Sequence, residues 1–110
     1  MAGLRWNKDF ALEQAAEDTD LLHELIDVFK ESCTNDYNLI NAGVENGDAG
    51  QIADAAHSIK GAAASLGFDG LRDLALEMEK DGRAGRTEVA RQRLAELAEL
   101  TELLVNLENF

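Results

Sequence analysis

Apolar side chains recur at steps of three and four residues along most of this 110-residue chain, and no proline interrupts them. Such spacing places apolar side chains on one face of a helix. No segment alternates strictly between apolar and polar residues, which would indicate a half-buried strand. Alanine, leucine and glutamate, all strong helix formers, are abundant. The pattern therefore predicts an all-α protein.

Glycines and acidic residues divide the pattern into a short helix and four long ones. Their predicted ranges are about 9–17, 19–45, 49–66, 69–82 and from 87 onward. Asp9, Asp18 or Thr19, Asp48 and Asp69 are the predicted N-caps, and Gly47 and Gly67 are predicted to end two of the helices. Four long amphipathic helices with short connections indicate an antiparallel up-down four-helix bundle, here with a short additional N-terminal helix. We expect one domain over residues 1–110.

Charge and composition exclude several classes of function. The net charge of −12 argues against nucleic acid and anionic membranes as partners, since both require a cationic surface. No uncharged apolar run approaches the roughly 18 residues of a membrane span, and the start of the chain does not resemble a signal peptide. The single cysteine, Cys33, is predicted to be buried and fits a reducing, cytoplasmic location. No set of His, Asp and Glu residues has a convincing metal-ligand spacing, so no metal or other cofactor is expected.

The helix predicted over residues 49–66 carries a histidine outside its apolar stripe. On a wheel of about 100° per residue, with Ile52 at zero, the stripe lies within roughly 60° of zero. Its members are Ile52, Ala55, Ala56, Ile59, Ala63 and Leu66. His57 falls at about 140° on the same wheel. The imidazole is therefore predicted to face away from the core.

Small residues and one lysine surround His57 on the helix surface. Lys60 lies at i+3, Gly61 at i+4, Ala64 at i+7 and Ala53 at i−4, offsets that make residues surface neighbours. Glycine inside a helix costs about 1 kcal/mol relative to alanine, and close approach by another molecule's backbone would explain Gly61. We predict that Ala53, Gly61 and Ala64 form a bare platform for a partner around His57.

The order His57-x-x-Lys60-Gly61-x-x-x-x-x-Gly67 resembles the motif of the histidine-containing phosphotransfer (Hpt) family. Further residues fit the family's pattern: Asp48 before the helix, Ala56 before the histidine, Leu66-Gly67 at the helix end, Leu71, Leu74 and Met78-Glu79 in the next helix, and Leu22-x-x-Leu25-x-x-x-Phe29 upstream. The resemblance covers nearly the whole chain, from about Trp6 to the last helix.

The resemblance implies a four-helix bundle without kinase or ATPase activity. Hpt domains accept a phosphoryl group on a histidine from the aspartyl phosphate of a receiver domain, and they donate it to the aspartate of another. A similar domain in chemotaxis-type kinases is phosphorylated by the kinase's own ATP-binding domain. By this resemblance His57 is the phosphoryl acceptor, and Lys60 is the cation beside it. Response-regulator receivers are the expected partners, together with a sensor histidine kinase in a separate protein or in the same full-length chain.

Other interpretations stay open at this point. A helical protein-interaction domain that is never phosphorylated is the alternative function, and a hydrolase or metal-dependent enzyme would need a second catalytic group beside His57. Asp54, at i−3, is either a hydrogen-bond partner of the imidazole or a solvated residue. Ser65 is either a site residue or makes a local backbone hydrogen bond.

Residues outside the motif receive structural interpretations. His23 lacks a lysine at i+3 and small neighbours, so it is predicted to be solvated. Trp6, Tyr37 and the leucine and phenylalanine stripes are predicted to pack in or against the core. The arginines between positions 83 and 93 are either exposed charges or contacts to a partner: Arg83, Arg86, Arg91 and Arg93.

Overall fold

A computed structural model describes residues 3–108 and 110 of the chain. Within those residues it contains five helices and no β-strand. They are α1 Lys8–Gln14, α2 Thr19–Asn46, α3 Ala49–Leu66, α4 Asp69–Arg83 and α5 Glu88–Val105. The predicted all-α class is confirmed.

The four long helices form the predicted bundle. Helices α2 and α3, α3 and α4, and α4 and α5 pack as neighbours, and α2 packs against α5 to close the ring. Short connections between successive helices require that neighbours run in opposite directions. The short helix α1 packs against α2 and α3.

Two predicted aspartate caps and two predicted glycine ends are confirmed. The Asp18 carboxylate accepts a hydrogen bond from the Leu21 amide at 3.1 Å, and that of Asp48 accepts from the Gln51 amide at 3.0 Å. Gly47 and Gly67 end α2 and α3 with φ values of 68° and 78°. This left-handed conformation favours glycine because it has no Cβ.

The ends of two helices differ from the prediction. Helix α1 is capped by Asn7 instead of Asp9, and it ends at Gln14 because Ala16 and Glu17 adopt φ values of 54° and 62°. Helix α4 begins with Asp69 as its first residue. The preceding position belongs to Phe68, which is fully buried and offers no side-chain cap.

The predicted apolar stripes form one core, with an important exception on α2. Large side chains that are fully buried come from α2, α3, α4 and α5, among them Leu22, Ile26, Ile40, Ile52, Ile59, Leu71, Met78, Leu97 and Leu104. Cys33 is buried, as predicted, and burial raises the pKa of its thiol to about 11. Leu25 was expected in this core, but it is exposed, together with Leu21 and Val28.

The segment before α1 makes hydrogen bonds and packing contacts with the turn between α3 and α4. The Asn7 amide donates to the Gly67 carbonyl at 2.8 Å, and the Gly70 amide donates to the Leu4 carbonyl at 2.9 Å. The Trp6 indole stacks on Phe68, with ring centroids 5.1 Å apart, and this confirms its predicted packing role. These contacts fix how α4 leaves the end of α3, the helix that carries His57.

Candidate functional site

His57 lies on the outer surface of α3, as the helical wheel predicted. Burial of Ile52, Ile59 and Leu66 fixes the rotation of α3 about its axis. The His57 side chain on the other face is 62% exposed. An incoming molecule can therefore reach the imidazole from solvent.

A glutamate on α4 joins His57 to Lys60. His57 Nδ1 lies 2.7 Å from Glu79 Oε2, and Lys60 Nζ lies 2.5 Å from Glu79 Oε1. The Glu79 side chain is only 12% exposed, whereas that of Lys60 is 29% exposed. The structure therefore brings the two predicted residues together through a third residue whose role the sequence had not revealed.

Close packing of α4 on α3 brings Glu79 to His57. Gly82 makes this approach possible, because a Cβ at that position would lie 2.8 Å from the Ala49 carbonyl oxygen and 3.0 Å from the Ala53 Cβ. Ala53 is fully buried in this contact. The prediction that Ala53 belongs to an exposed partner-binding platform is therefore wrong, since α4 covers it.

Hydrogen bonding sets the protonation of this cluster. The hydrogen bond from Lys60 is the largest cause that lowers the pKa of the Glu79 carboxyl, and that from His57 adds to it, against the opposing effect of desolvation. An ionised carboxylate can only accept hydrogen bonds, so His57 Nδ1 must carry the donated proton. In a neutral imidazole, the lone pair then remains on Nε2. Nε2 is thus the ring nitrogen whose lone pair is free.

An arginine at the end of α4 holds Asp54. Arg83 Nη1 donates to Asp54 Oδ1 at 2.8 Å, and Arg83 Nη2 lies 3.8 Å from Glu79 Oε2. Glu79, not Asp54, is the hydrogen-bond partner of the imidazole. The Asp54 side chain is 75% exposed, which agrees with the solvated interpretation, and its charged partner is Arg83. Both Asp54 and Arg83 remain exposed at the surface.

Two of the three predicted platform residues are exposed beside His57. They are Gly61 and Ala64, and a Cβ added to Gly61 would meet no atom within 4 Å. Packing within the described protein therefore gives no reason for a glycine at this position. Ser65 Oγ donates to the Gly61 carbonyl at 3.1 Å, which is the local backbone interaction considered for it.

An apolar groove lies on the α2 side of α3. Leu25 and Val28 line it from α2, and Ala62 and Ser65 line it from α3. Exposed Leu21 precedes Leu25 by one helical turn. A second apolar stripe beside the core stripe was the sequence signal for this surface, because Leu21, Leu25 and Val28 are spaced at i, i+4 and i+7.

His23 differs from its predicted solvated state. Its ring is half-buried and stacks on Phe110, with centroids 4.1 Å apart. His23 Nε2 also lies 3.2 Å from the Phe110 carbonyl oxygen. The aromatic contact from the end of the chain, which helical periodicity does not describe, accounts for the difference.

The arginines that follow Arg83 all have partners within the protein. Arg86 Nε donates to Asp81, and Arg91 Nη2 donates to the Val44 carbonyl. Arg93 pairs with Glu96 on α5. These contacts give the arginine cluster structural roles, in addition to the charge that it presents at the surface.

Among residues 3–108 and 110, no group of three or more His, Cys, Asp or Glu side chains is placed to hold a metal ion. No helix within that part is long and apolar enough to cross a membrane.

A sequence model of the Hpt domain matches residues 24–109. The chain belongs to the Hpt family. The match includes the whole of α3, α4 and α5 and most of α2, and so it contains His57, Lys60 and Glu79. Hpt domains are helical bundles with a histidine phosphotransfer role in phosphorelays, where they interact with response-regulator receivers and kinases. Comparisons with curated proteins and with solved structures gave no match.

Proposed function

We propose that this Hpt domain carries a phosphoryl group on Nε2 of His57. It accepts the group from the aspartyl phosphate of a receiver domain, or from a sensor histidine kinase, and passes it to another receiver aspartate. The observation that carries the proposal is the shared Glu79 carboxylate, which holds Lys60 and the Nδ1 atom of a histidine that is 62% exposed, and which leaves Nε2 without this bond.

The transfer is a displacement at phosphorus. The lone pair of His57 Nε2 forms the N–P bond while the bond from phosphorus to the aspartyl oxygen breaks, and the aspartate carboxylate leaves with that electron pair. The ring gains a positive charge and keeps its proton on Nδ1. The Glu79 carboxylate, which accepts that proton's hydrogen bond, stabilises the charged ring. Transfer to the next receiver reverses these bond changes.

Lys60 supplies positive charge beside the reacting atoms. Its ammonium is held by Glu79, on the same carboxylate that orients the imidazole. Phosphoryl transfer depends mainly on positioning and on compensation of the charge of the phosphoryl oxygens. The remaining cationic groups are contributed by the receiver. In this proposal the domain carries the phosphoryl group without kinase or ATPase activity of its own.

The surface around His57 supports docking of a folded partner. Gly61 and Ala64 offer little side chain beside the imidazole, so a receiver backbone can approach closely. The apolar groove lined by Leu25, Val28 and Ala62 lies along the same helix, α3. We propose that the receiver covers both surfaces when its aspartate reaches Nε2.

A labelling experiment tests the proposal. The protein is incubated with a receiver domain carrying a labelled aspartyl phosphate, and the label on the protein is tested for stability in acid and in alkali. We expect label that is lost in acid and retained in alkali, as for phosphohistidine. His57→Gln should abolish it. His23→Gln is the matched control and should keep it, because the chain has two histidines.

Label that survives His57→Gln would overturn the assignment of the acceptor. Receiver binding without any transfer to the wild-type protein would instead favour the alternative, a helical interaction domain that is not phosphorylated. The apolar groove would then be the binding surface, and substitution of Val28 by Asp should weaken the complex.

A further inference from the structure

Arg83 lies next to the carboxylate that orients the imidazole, but the transfer proposed above gives it no role. Its Nη2 is 3.8 Å from Glu79 Oε2, the same oxygen that lies 2.7 Å from His57 Nδ1. Its Nη1 donates to Asp54 at 2.8 Å. The guanidinium therefore lies between a residue of α3 and the carboxylate that orients the ring.

Helix geometry places this pair on one particular side of His57. Side chains on a helix lean toward its N-terminus, over the preceding turn. The imidazole of His57 therefore leans toward the turn that contains Asp54, its neighbour at i−3. Lys60 lies one turn beyond His57 and leans back toward it. The ring thus lies between the turn of Asp54, which Arg83 contacts, and the turn of Lys60. Both cations reach Glu79, but only Arg83 is paired with a second, exposed carboxylate.

The pair between Arg83 and Asp54 is suited to exchange. Their side chains are 53% and 75% exposed, and exposed ion pairs contribute little to stability. A guanidinium binds carboxylate and phosphate oxygens in the same two-pronged geometry. A phosphoryl group on His57 carries more charge than the Asp54 carboxylate, and so it competes for the same cation.

We propose that Arg83 releases Asp54 and binds the phosphoryl oxygens once His57 is phosphorylated. Arg83 is then a phosphoryl-binding residue, and Asp54 is a positioning residue that holds the guanidinium until the group arrives. This inference rests on the proposed function, because it requires a phosphoryl group on His57. Lys60 still supplies positive charge beside the reacting atoms, and Glu79 still orients the imidazole.

The consequence is a longer-lived phosphohistidine. In its hydrolysis, a water oxygen bonds to phosphorus, the P–Nε2 bond breaks, and Nε2 keeps the electron pair as inorganic phosphate leaves. The loose transition state moves negative charge from the phosphoryl oxygens toward the leaving nitrogen. A cation on those oxygens therefore stabilises the phosphorylated protein more than the transition state of hydrolysis, and it slows the loss of the group. Transfer to a receiver differs, because there the docked partner positions the attacking aspartate.

The experiment needs no kinase or receiver. The protein is phosphorylated with potassium phosphoramidate, whose phosphoryl group moves to His57 as ammonia leaves, and the reagent is removed. The phosphorus NMR signal of the protein is then followed at pH 8. Arg83→Gln should shorten the half-life about threefold, the scale of one exposed ion pair, and should shift the resonance. Asp54→Asn should lengthen the half-life about twofold, because the competing carboxylate is gone.

Two controls separate a bound cation from a general effect. Lys80→Gln removes one positive charge from an exposed position on the same helix and should leave the half-life unchanged. Arg83→Lys keeps the positive charge but cannot make the two parallel hydrogen bonds of a guanidinium, and it should give an intermediate half-life. A wild-type half-life in Arg83→Gln would overturn this inference alone, and a wild-type half-life in Asp54→Asn would overturn the role of Asp54. A wild-type protein without any His57 signal would overturn the proposed function and this inference together.

Discussion

Two helical glycines, Gly61 on α3 and Gly82 on α4, serve the same site in different ways. A Cβ added to Gly61, on the exposed face of α3, would meet no atom within 4 Å. A Cβ added to Gly82, on α4, would press against the Ala49 carbonyl oxygen at 2.8 Å and the Ala53 Cβ at 3.0 Å. Gly61 leaves open space at the surface of the protein, whereas Gly82 allows α4 to pack closely on α3. The site needs both, because one keeps the approach to His57 open and the other brings Glu79 to it.

The comparison shows why residue type alone does not identify a functional position. In each helix, glycine costs about 1 kcal/mol relative to alanine. At position 82, close packing of α3 on α4 compensates for that cost. At position 61, no contact within the described protein does so, and we therefore assign the glycine to the approach of a partner.

Substitution of both glycines by leucine should give the largest contrast in stability. Gly82→Leu should lower the free energy of unfolding by about 3 kcal/mol or more, because the side chain cannot fit between α3 and α4. Gly61→Leu should leave it unchanged or raise it by up to about 1 kcal/mol, since leucine is the better helix former. Urea unfolding followed by circular dichroism measures both. Equal losses in the two variants would contradict the distinction.

Glu79→Gln should slow phosphoryl transfer, because it removes the carboxylate that packing of α4 on α3 brings to His57. An amide can offer its NH₂ group to Nδ1, which favours the wrong tautomer, and it no longer balances the charged ring. Transfer from a phosphorylated receiver should slow about tenfold or more, the scale of losing an orienting partner of an imidazole. Glu77→Gln, at an exposed position on the same helix, should transfer normally. If Glu79→Gln transferred at the wild-type rate, Glu79 would be a packing residue only.

Gly61→Leu should separate stability from function. The variant should fold as well as the wild type, yet transfer about tenfold more slowly, because one misplaced side chain at the approach displaces the reacting groups. Gly61→Ala adds only a methyl group, and its transfer rate should lie between those of the wild type and Gly61→Leu. Stopped-flow transfer from one labelled receiver measures all three proteins. A normal rate for the leucine variant would remove Gly61 from the docking surface.

A smaller effect concerns pH and the stability of the site. The pKa of Glu79 lies below its ordinary range because Lys60 and His57 donate hydrogen bonds to it. The ionised carboxylate therefore stabilises the fold above the unfolded-state pKa of about 4.3, and this contribution is lost as pH falls through the lower, folded-state value. At pH 7 the free energy of unfolding of the wild type should exceed that of Glu79→Gln by about 1 kcal/mol or less. Urea unfolding at pH 3 should show the difference reduced, and a difference that grows toward low pH would contradict the assignment.

Much of this architecture was predictable from local sequence. Helix α3 begins and ends where Asp48 and Gly67 predict, and its apolar stripe turns His57 outward, because both features depend on residues within a few turns of one another. The Hpt motif is local as well, because it lies within one stretch from His57 to Gly67.

Contacts between distant parts of the chain were not predictable in the same way. Glu79 lies 22 positions after His57, and only the packing of α4 on α3 at Gly82 brings the two together. The same packing buries Ala53, which an isolated helical wheel leaves open. The prediction that His23 is solvated was wrong for a similar reason, because its ring stacks on Phe110, 87 positions later in the sequence.

The central claim is that Glu79 holds the proton on Nδ1 and leaves Nε2 of His57 as the nucleophile. The most direct test is to phosphorylate protein labelled with ¹⁵N-histidine and to determine by NMR which ring nitrogen is bonded to phosphorus. The account predicts phosphorus on Nε2 of His57, with Nδ1 still hydrogen-bonded to Glu79. Phosphorus on Nδ1 would contradict it, because that nitrogen could not then donate to the carboxylate.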